Sequence, residues 1–344
     1  MKVLIGAVQA PFIRGGAEAL VEGLERRFRE RGHRTDVLRI PLRMLPRPEI
    51  VKNCLLWRLL DVEESYGESI DLFVTTKFPS YVVRHPRKVV WLFHQMREVY
   101  ELYGTRLLRV GGQGMDQVVR DAIHHLDQVG LGEARKIFTI SKTVAARLKA
   151  TTGHTGECLY HPPPLAGRTQ RGEFGDYVFT VSRLDRTKRV ELLVEAMAHV
   201  RAPVRAIIAG EGPEKAALEQ RVAELDLGHK VIFAGRPSDE RIVELYAGAL
   251  AVFFAPFDED YGYVTLEAFL SGKPVITAPD SGGVMEFVED GISGKVVPAD
   301  PLRFADAIDT LAADRRKAAA LGAEGLARVA PISWEGVLDA LTSV

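Results

Sequence analysis

Cysteine is scarce: the 344 residues contain only two, Cys54 and Cys158. Their separation matches neither a disulfide framework nor a metal or redox pair, so both read as free thiols of a reducing compartment. Net charge is nearly absent, −1 at neutral pH, which removes any global reason to expect nucleic acid. No apolar run reaches the roughly 18 residues needed to span a bilayer. The opening "MKVLIGAVQAPF" lacks a basic start, a long apolar centre and a small-residue cleavage site, so it reads as a first strand and not a signal peptide. The G-x-G-x-x-G fingerprint of dinucleotide sites is missing after that strand, which counts against a nicotinamide enzyme.

What is present is a regular alternation. The runs "KVLIGAV" (2–8), "RTDVLRI" (34–40), "IDLFVTT" (70–76), "KVVWLF" (88–93), "KIFTIS" (136–141) and "ECLY" (157–160) are β-branched and almost unbroken, with helical patterns between them. Such runs suit strands buried on both faces of a parallel sheet. The Pro- and Gly-rich segment "HPPPLAGRTQRGEFGD" (161–176) interrupts the rhythm and reads as a linker. The pattern restarts with "YVFTVS" (177–182), "RAIIAG" (205–210), "KVIFAG" (230–235), "LAVFFAP" (250–256), "KPVITA" (273–278) and "GKVV" (294–297). The expected fold class is α/β: two doubly wound domains in tandem. Ligands of such sheets bind beyond the carboxyl ends of the strands, and the cleft between two such domains is the natural site.

Several residues at expected strand ends have the right chemistry. Arg183 and Lys188 follow "YVFTVS" at a helix start, where two cations suit a diphosphate; two solvated surface cations would look the same. Gly15 and Gly16 follow the first strand and let backbone N–H groups approach an anion; a plain βα loop would look the same. Gly210 and Gly212 in "IIAGEGPE" either pass close to a base or make a turn. Glu259 and Glu267, separated by seven residues, bracket a Tyr-Gly-Tyr loop. With a helix beginning near Val264, Glu267 lies in its first turn, and both carboxylates can accept from vicinal hydroxyls. Helix-dipole stabilisation is the plainer reading of Glu267. "DED" (258–260) also reads as a D-x-D metal pattern. His94 ends "KVVWLF" and is either a ligand-facing donor or a structural histidine.

Taken together, "RGGAE", "SRLDRTKRVELLVEAM", "GEGPE", "KVIFAG", "EDYGYVTLEAFLSGKPVI", "DSGGVMEFVEDGISGKVV" and "SWE" resemble the retaining glycosyltransferases of family 4, with the GT-B fold. The matches run in order across 177–300 and are sparser before it. The resemblance implies two Rossmann-like domains facing a central cleft. Residues 1–165 would form the acceptor domain, with 331–344 packing back on it, and 170–330 the nucleotide-sugar domain. It also implies a cytoplasmic enzyme that moves a sugar from a nucleoside diphosphate donor to an acceptor hydroxyl, with no metal and no cofactor. Glu259 and Glu267 would hold the donor sugar and the ribose, Arg183 and Lys188 the diphosphate. The loop of Tyr261, Gly262, Tyr263 and Val264 would offer N–H groups to sugar and diphosphate. Gly15, Gly16, Gly210 and Arg236 would line the donor, and His94 would stand near the transferred sugar. The family more often has Gly, Phe, Gly, Leu, Pro where this chain has Asp260, Tyr261, Gly262, Tyr263, Val264.

Acceptor candidates from the strand ends in 75–105 are Lys77, Arg84, Arg97 and Tyr100. The basic, apolar segment 39–60 either covers its own sheet or touches an anionic membrane bearing a lipid-linked acceptor. A nonhydrolysing sugar-nucleotide epimerase and a noncatalytic nucleotide-sugar-binding protein are the alternative functions.

Overall fold

In the computed structural model, which describes residues 1–9, 15–44, 47–103 and 117–344, the chain divides into two units, Met1–Pro164 with Ser333–Val344 and Leu165–Ile332. The first unit contains β1 (Lys2–Gln9), α1 (Gly16–Glu30), β2 (Arg34–Pro41), α2 (Pro48–Leu59), the hairpin β3 (Glu64–Ser65) and β4 (Glu68–Ser69), β5 (Leu72–Thr75), β6 (Lys88–Leu92), α3 (Gln117–Gly132), β7 (Lys136–Thr139), α4 (Lys142–Thr152) and β8 (Glu157–Cys158). The second contains β9 (Tyr177–Val181), α5 (Glu191–Met197), β10 (Arg205–Ala209), α6 (Lys215–Glu224), β11 (Val231–Gly235), α7 (Asp239–Ala247), β12 (Ala251–Phe253), α8 (Tyr263–Leu270), β13 (Val275–Thr277), β14 (Gly294–Val296), α9 (Pro301–Ala313) and α10 (Arg315–Val329). The last helix, α11 (Trp334–Thr342), belongs to the first unit.

Each unit is built on one parallel sheet, in the orders β2-β1-β5-β6-β7-β8 and β11-β10-β9-β12-β13-β14. Strand order reverses beside the first strand of each unit: between β1 and β5, and between β9 and β12. Loops leaving two such strands diverge to opposite faces and leave a crevice at the carboxyl edge. The apolar runs do bury both faces of the central strands: every residue of β5, β6, β12 and β13 is buried. In the second unit Phe253 of β12 meets Phe304 of α9 edge-on, centroids 4.9 Å apart, a geometry aromatic quadrupoles favour.

Two lysines that the sequence gives no reason to bury sit at strand starts. Lys88 is fully buried, and its ammonium donates to the carbonyls of Tyr81, Val83 and Gly130 at 2.8–2.9 Å. Lys273 donates to Gly172 and Glu173 carbonyls at 2.8 and 3.1 Å and lies 3.7 Å over the Phe174 ring. Burial lowers both, to about 8, yet each keeps enough acceptors to stay tolerable as a cation. The Pro/Gly-rich segment around 172–174 is thereby tied into the second unit. On the first unit, α11 lays Trp334 against α1: a Cβ on Gly23 would stand 2.9 Å from its indole, so only glycine lets the two helices approach this closely.

Candidate functional site

The crevice between β9 and β12 is assembled by backbone bonds between loops. After β9, Leu184 donates to Glu211 and Glu214 donates back to Leu184, both at 3.0 Å. Gly210 sits at φ +126°, and a Cβ there would come 1.8 Å from Ser182 O. Gly210 and Gly212 therefore admit neighbouring backbone, at Ser182 and Leu184. Asp185 is buried and accepts from Thr187 N–H at 3.0 Å, shaping the single turn that carries Lys188. Phe257 N–H donates to Thr187 O at 2.7 Å, and Asp258 N–H to Asp280 O at 2.9 Å. Arg189, at φ +49°, donates to the carbonyls of Ala255 and Pro256 and forks onto Asp280 at 2.6 and 2.8 Å. One guanidinium thus ties together the loops after β9, β12 and β13.

These constraints bring Lys188 and Glu259 together, Nζ to Oε2 at 2.5 Å, although 70 residues separate them in sequence. Each side chain is about one-fifth exposed. Arg183 stands at the same strand end, half exposed and 3.7 Å from Asp185. Arg236 is exposed just beyond β11. The Glu259 backbone is locked too: Gly283 N–H donates to its carbonyl at 2.8 Å, and a Cβ on Gly282 would lie 2.4 Å from that oxygen.

Helix α8 starts one residue earlier than the sequence pattern predicts, because Gly262 enters at φ +86° with no room for a Cβ beside Val284 and Phe254. Glu267 consequently lies in the second turn, not the first, and helix-dipole stabilisation no longer explains it. It is buried, accepts from the Tyr246 hydroxyl at 2.9 Å and takes a backbone bond from Leu165. Burial raises its carboxyl from 4.5 to about 7, with the two hydrogen bonds opposing. Thr265 Oγ1, in the first turn, is buried with no hydrogen-bond partner among the described residues. Tyr261 packs inward against Phe287, rings 5.7 Å apart, and meets Tyr263 edge-on at 5.8 Å. Tyr263 and Val264 are partly exposed.

In the first unit, a cavity of about 320 Å³ opens between β1 and β5, lined by Val8, Gln9, Ala17, Glu18, Lys77 and Phe93 among others. Gly15 caps α1 and donates its N–H to Glu18 Oε2 at 2.9 Å, while Lys77 Nζ lies 3.5 Å from Glu18 Oε1. A carboxylate of the chain itself therefore holds the position at the start of α1 beside Gly15 and Gly16. His94, half-buried, follows β6 and directs Nδ1 at the Gln95 carbonyl, 2.6 Å away.

The other acceptor candidates are placed differently. Arg84 precedes β6 and acts electrostatically on Glu133, at the amino end of the sheet, away from Lys77 and His94. Tyr100 donates its hydroxyl to buried Asp127 at 2.7 Å and stacks on His124; burial and that carboxylate push the phenol up. Arg97 pairs with Glu101 at 2.7 Å. Gly104 and Thr105, the end of the candidate segment, lie outside the described residues.

The segment 39–60, apart from residues 45 and 46, which lie outside the described residues, is a strand end and α2. Arg58 turns inward onto Glu133 and Val82 O. The solvent face of α2 is instead apolar: Leu55, Leu56 and Leu59 are 48%, 48% and 83% exposed, beside Lys52. Opposite them Ile50, Cys54 and Trp57 are buried, so α2 is apolar on both faces.

Sequence reasoning missed Asp185, Arg189, Tyr246 and Asp280. The only local signal was the "TKRV" cation run, which does not say which cation meets ligand and which braces a loop.

Residues 168–328 match the model of the family "Glycosyl transferases group 1". An uncharacterized glycosyltransferase of Methanocaldococcus jannaschii is 24% identical, covering 88% of this chain and 87% of that protein. The D-inositol 3-phosphate glycosyltransferase of Nocardia farcinica is 33% identical over 61% of this chain, which spans 51% of that relative. Among solved structures, Anabaena HepE in complex with UDP and glucose superposes with a TM-score of 0.74 at 20% identity, covering all of both chains. The chain thus has the GT-B glycosyltransferase fold, two Rossmann-like α/β domains, and within it residues 168–328 match the group 1 glycosyl transferases.

Proposed function

We propose that this protein transfers a sugar from a nucleoside diphosphate donor to an acceptor hydroxyl, with retention at the anomeric carbon and without a metal, in the synthesis of a glycan, glycolipid or polysaccharide. The observation that carries the reading is the Lys188–Glu259 pair at the second unit's strand-order reversal, with Arg183 at the same strand end and Glu267 buried in the helix that follows β12. A carboxylate that can accept from sugar hydroxyls is held against an ammonium that can meet a diphosphate. The complex of HepE with UDP and glucose supports that class of donor.

In this reading Lys188 and Arg183 stabilise the departing diphosphate, and being fixed beforehand they need no reorganisation as charge develops. The bond from C1 to the diphosphate oxygen breaks. The acceptor oxygen bonds C1 on the same face, and its proton passes to the leaving phosphate. Glu259 orients the sugar and forms no covalent bond. Glu267, held in place by the Tyr246 hydroxyl, accepts from the ribose hydroxyls. The leucine face of α2 supports peripheral contact with a membrane carrying a lipid-linked acceptor, through apolar insertion more than through charge.

The test is incubation of the protein with a panel of nucleoside diphosphate sugars, with and without acceptors. Acceptor-dependent release of the nucleoside diphosphate and an α-linked product from an α-linked donor are expected. Conversion of the donor alone to its epimer would replace this reading with an epimerase. Binding without turnover across the panel would replace it with a nucleotide-sugar-binding protein.

A further inference from the structure

The peptide that follows His94 is braced by a buried polar network that also ties α3 to Tyr81 and Tyr100. Asp127, fully buried on α3, accepts from three donors: Tyr81 Oη at 2.8 Å, Tyr100 Oη at 2.7 Å and Gln95 Nε2 at 3.1 Å. At pH 8, above its raised value of about 6, Asp127 is ionised and these three donors satisfy it. Because it can only accept, the Gln95 amide is oriented without ambiguity, NH₂ toward Asp127. Its carbonyl then faces Thr151 Oγ1 at 2.8 Å, a hydroxyl whose one proton is shared with the Arg147 carbonyl, also at 2.8 Å. Gln95 is itself buried, so its side chain is gripped at both ends.

The main-chain carbonyl of this same residue is the one that His94 Nδ1 approaches at 2.6 Å. A carbonyl has no proton to give, so Nδ1 must carry the hydrogen. In the neutral ring Nε2 is then a lone pair. Among the described residues Nε2 has no hydrogen-bond partner.

We propose that Gln95 is a positioning residue: held between Asp127 and Thr151, it fixes its own carbonyl so that His94 keeps the Nδ1–H tautomer and offers Nε2 as an acceptor. The ligand group that fits this edge is a donor, a sugar hydroxyl, and not a phosphate oxygen or a carbonyl. This deepens the sugar-transfer reading and rests on it for the identity of the hydroxyl. The tautomer itself does not depend on it.

The experiment is ¹⁵N-histidine labelling of the full chain, with long-range proton–nitrogen spectra at about pH 8, above the ordinary histidine range. His94→Gln assigns the resonance. The wild type should show Nδ1 protonated and Nε2 bare. Gln95→Leu should mix the two tautomers and lower kcat by about ten- to a hundredfold, the scale of a misplaced group, yet cost nothing further in a His94→Ala background. Thr151→Val, which removes the hydroxyl that faces the amide carbonyl, should give a partial shift and serves if Gln95→Leu does not fold. A wild-type ring protonated at Nε2, or a single unchanged tautomer in both variants, would overturn the proposal. Absence of any transferase activity beside the expected nitrogen pattern would defeat the functional reading and leave the tautomer assignment standing.

Discussion

Replacing Glu267 by Gln keeps the shape and the acceptor for Tyr246 but removes a titration. In the folded chain burial holds this carboxyl at about 7, against an ordinary 4.5. The folded state therefore keeps its proton at a pH where the unfolded chain has released it. The resulting stabilisation is fully present below pH 4.5, is lost as pH rises, and is gone above about 7. Each pH unit of displacement is worth about 1.4 kcal/mol, so the window spans roughly 3 kcal/mol. Asp127, raised by burial to about 6, contributes in the same direction, so the measurement must be a difference. Hydrogen exchange of the core amides of β9 and β12 reports the second unit alone. Compared with Glu267→Gln at steps across this range, the wild type should lose about 3 kcal/mol more stability on going from the lower to the upper end. A constant gap between the two proteins would refute the claim that Glu267 is buried and proton-holding. A nucleotide whose ribose donates two hydroxyls to the ionised carboxylate should also bind more tightly as pH rises toward and through 7.

Lys188→Ala should lower kcat by about a thousandfold, since a unit charge about 4 Å from the diphosphate is worth roughly 4 kcal/mol at an effective dielectric of 20. Melting should shift little, because the partly exposed pair with Glu259 contributes about 1 kcal/mol at most; turnover within threefold of wild type would count against its role. Gly210→Ala should destabilise the second unit by more than about 3 kcal/mol, since the new Cβ meets Ser182 O in a backbone conformation that disfavours side chains, and an unchanged urea midpoint would contradict the packing described. Leu55→Gln with Leu59→Gln should abolish flotation with vesicles if α2 inserts; a wild type that never floats would remove the membrane contact.

The parallel strands were legible because burial on both faces leaves an unbroken β-branched run, a signal local to each strand. The spacing of Glu259 and Glu267 singled both out as candidates, but not their partners, Lys188 and Tyr246. What stayed hidden depends on residues distant in sequence. Arg189 and Asp280 look like surface charges until the loops after β9 and β13 are brought together. Tyr246 gives no sign that its hydroxyl will meet Glu267. Lys88 and Lys273 read as solvated because nothing local announces the carbonyls that receive them. Arg84 was placed wrongly by proximity in sequence: it precedes β6, and a strand separates it from His94. In α2 a count of cations and leucines was misleading, because Arg58 is spent on Glu133 and the leucines face out.

The central claim is that the second unit holds a nucleoside diphosphate sugar through Lys188 and Glu267. A thermal-shift screen of the wild type, Lys188→Ala and Glu267→Ala against uridine, guanosine and adenosine diphosphate sugars tests it most directly. A ligand that binds only the folded chain raises its melting temperature by mass action, by about 2.7 kcal/mol of stability at a hundred times Kd. The account predicts that at least one donor shifts the wild type and that both variants lose the shift. No response to any donor, or an equal response in all three proteins, would contradict it.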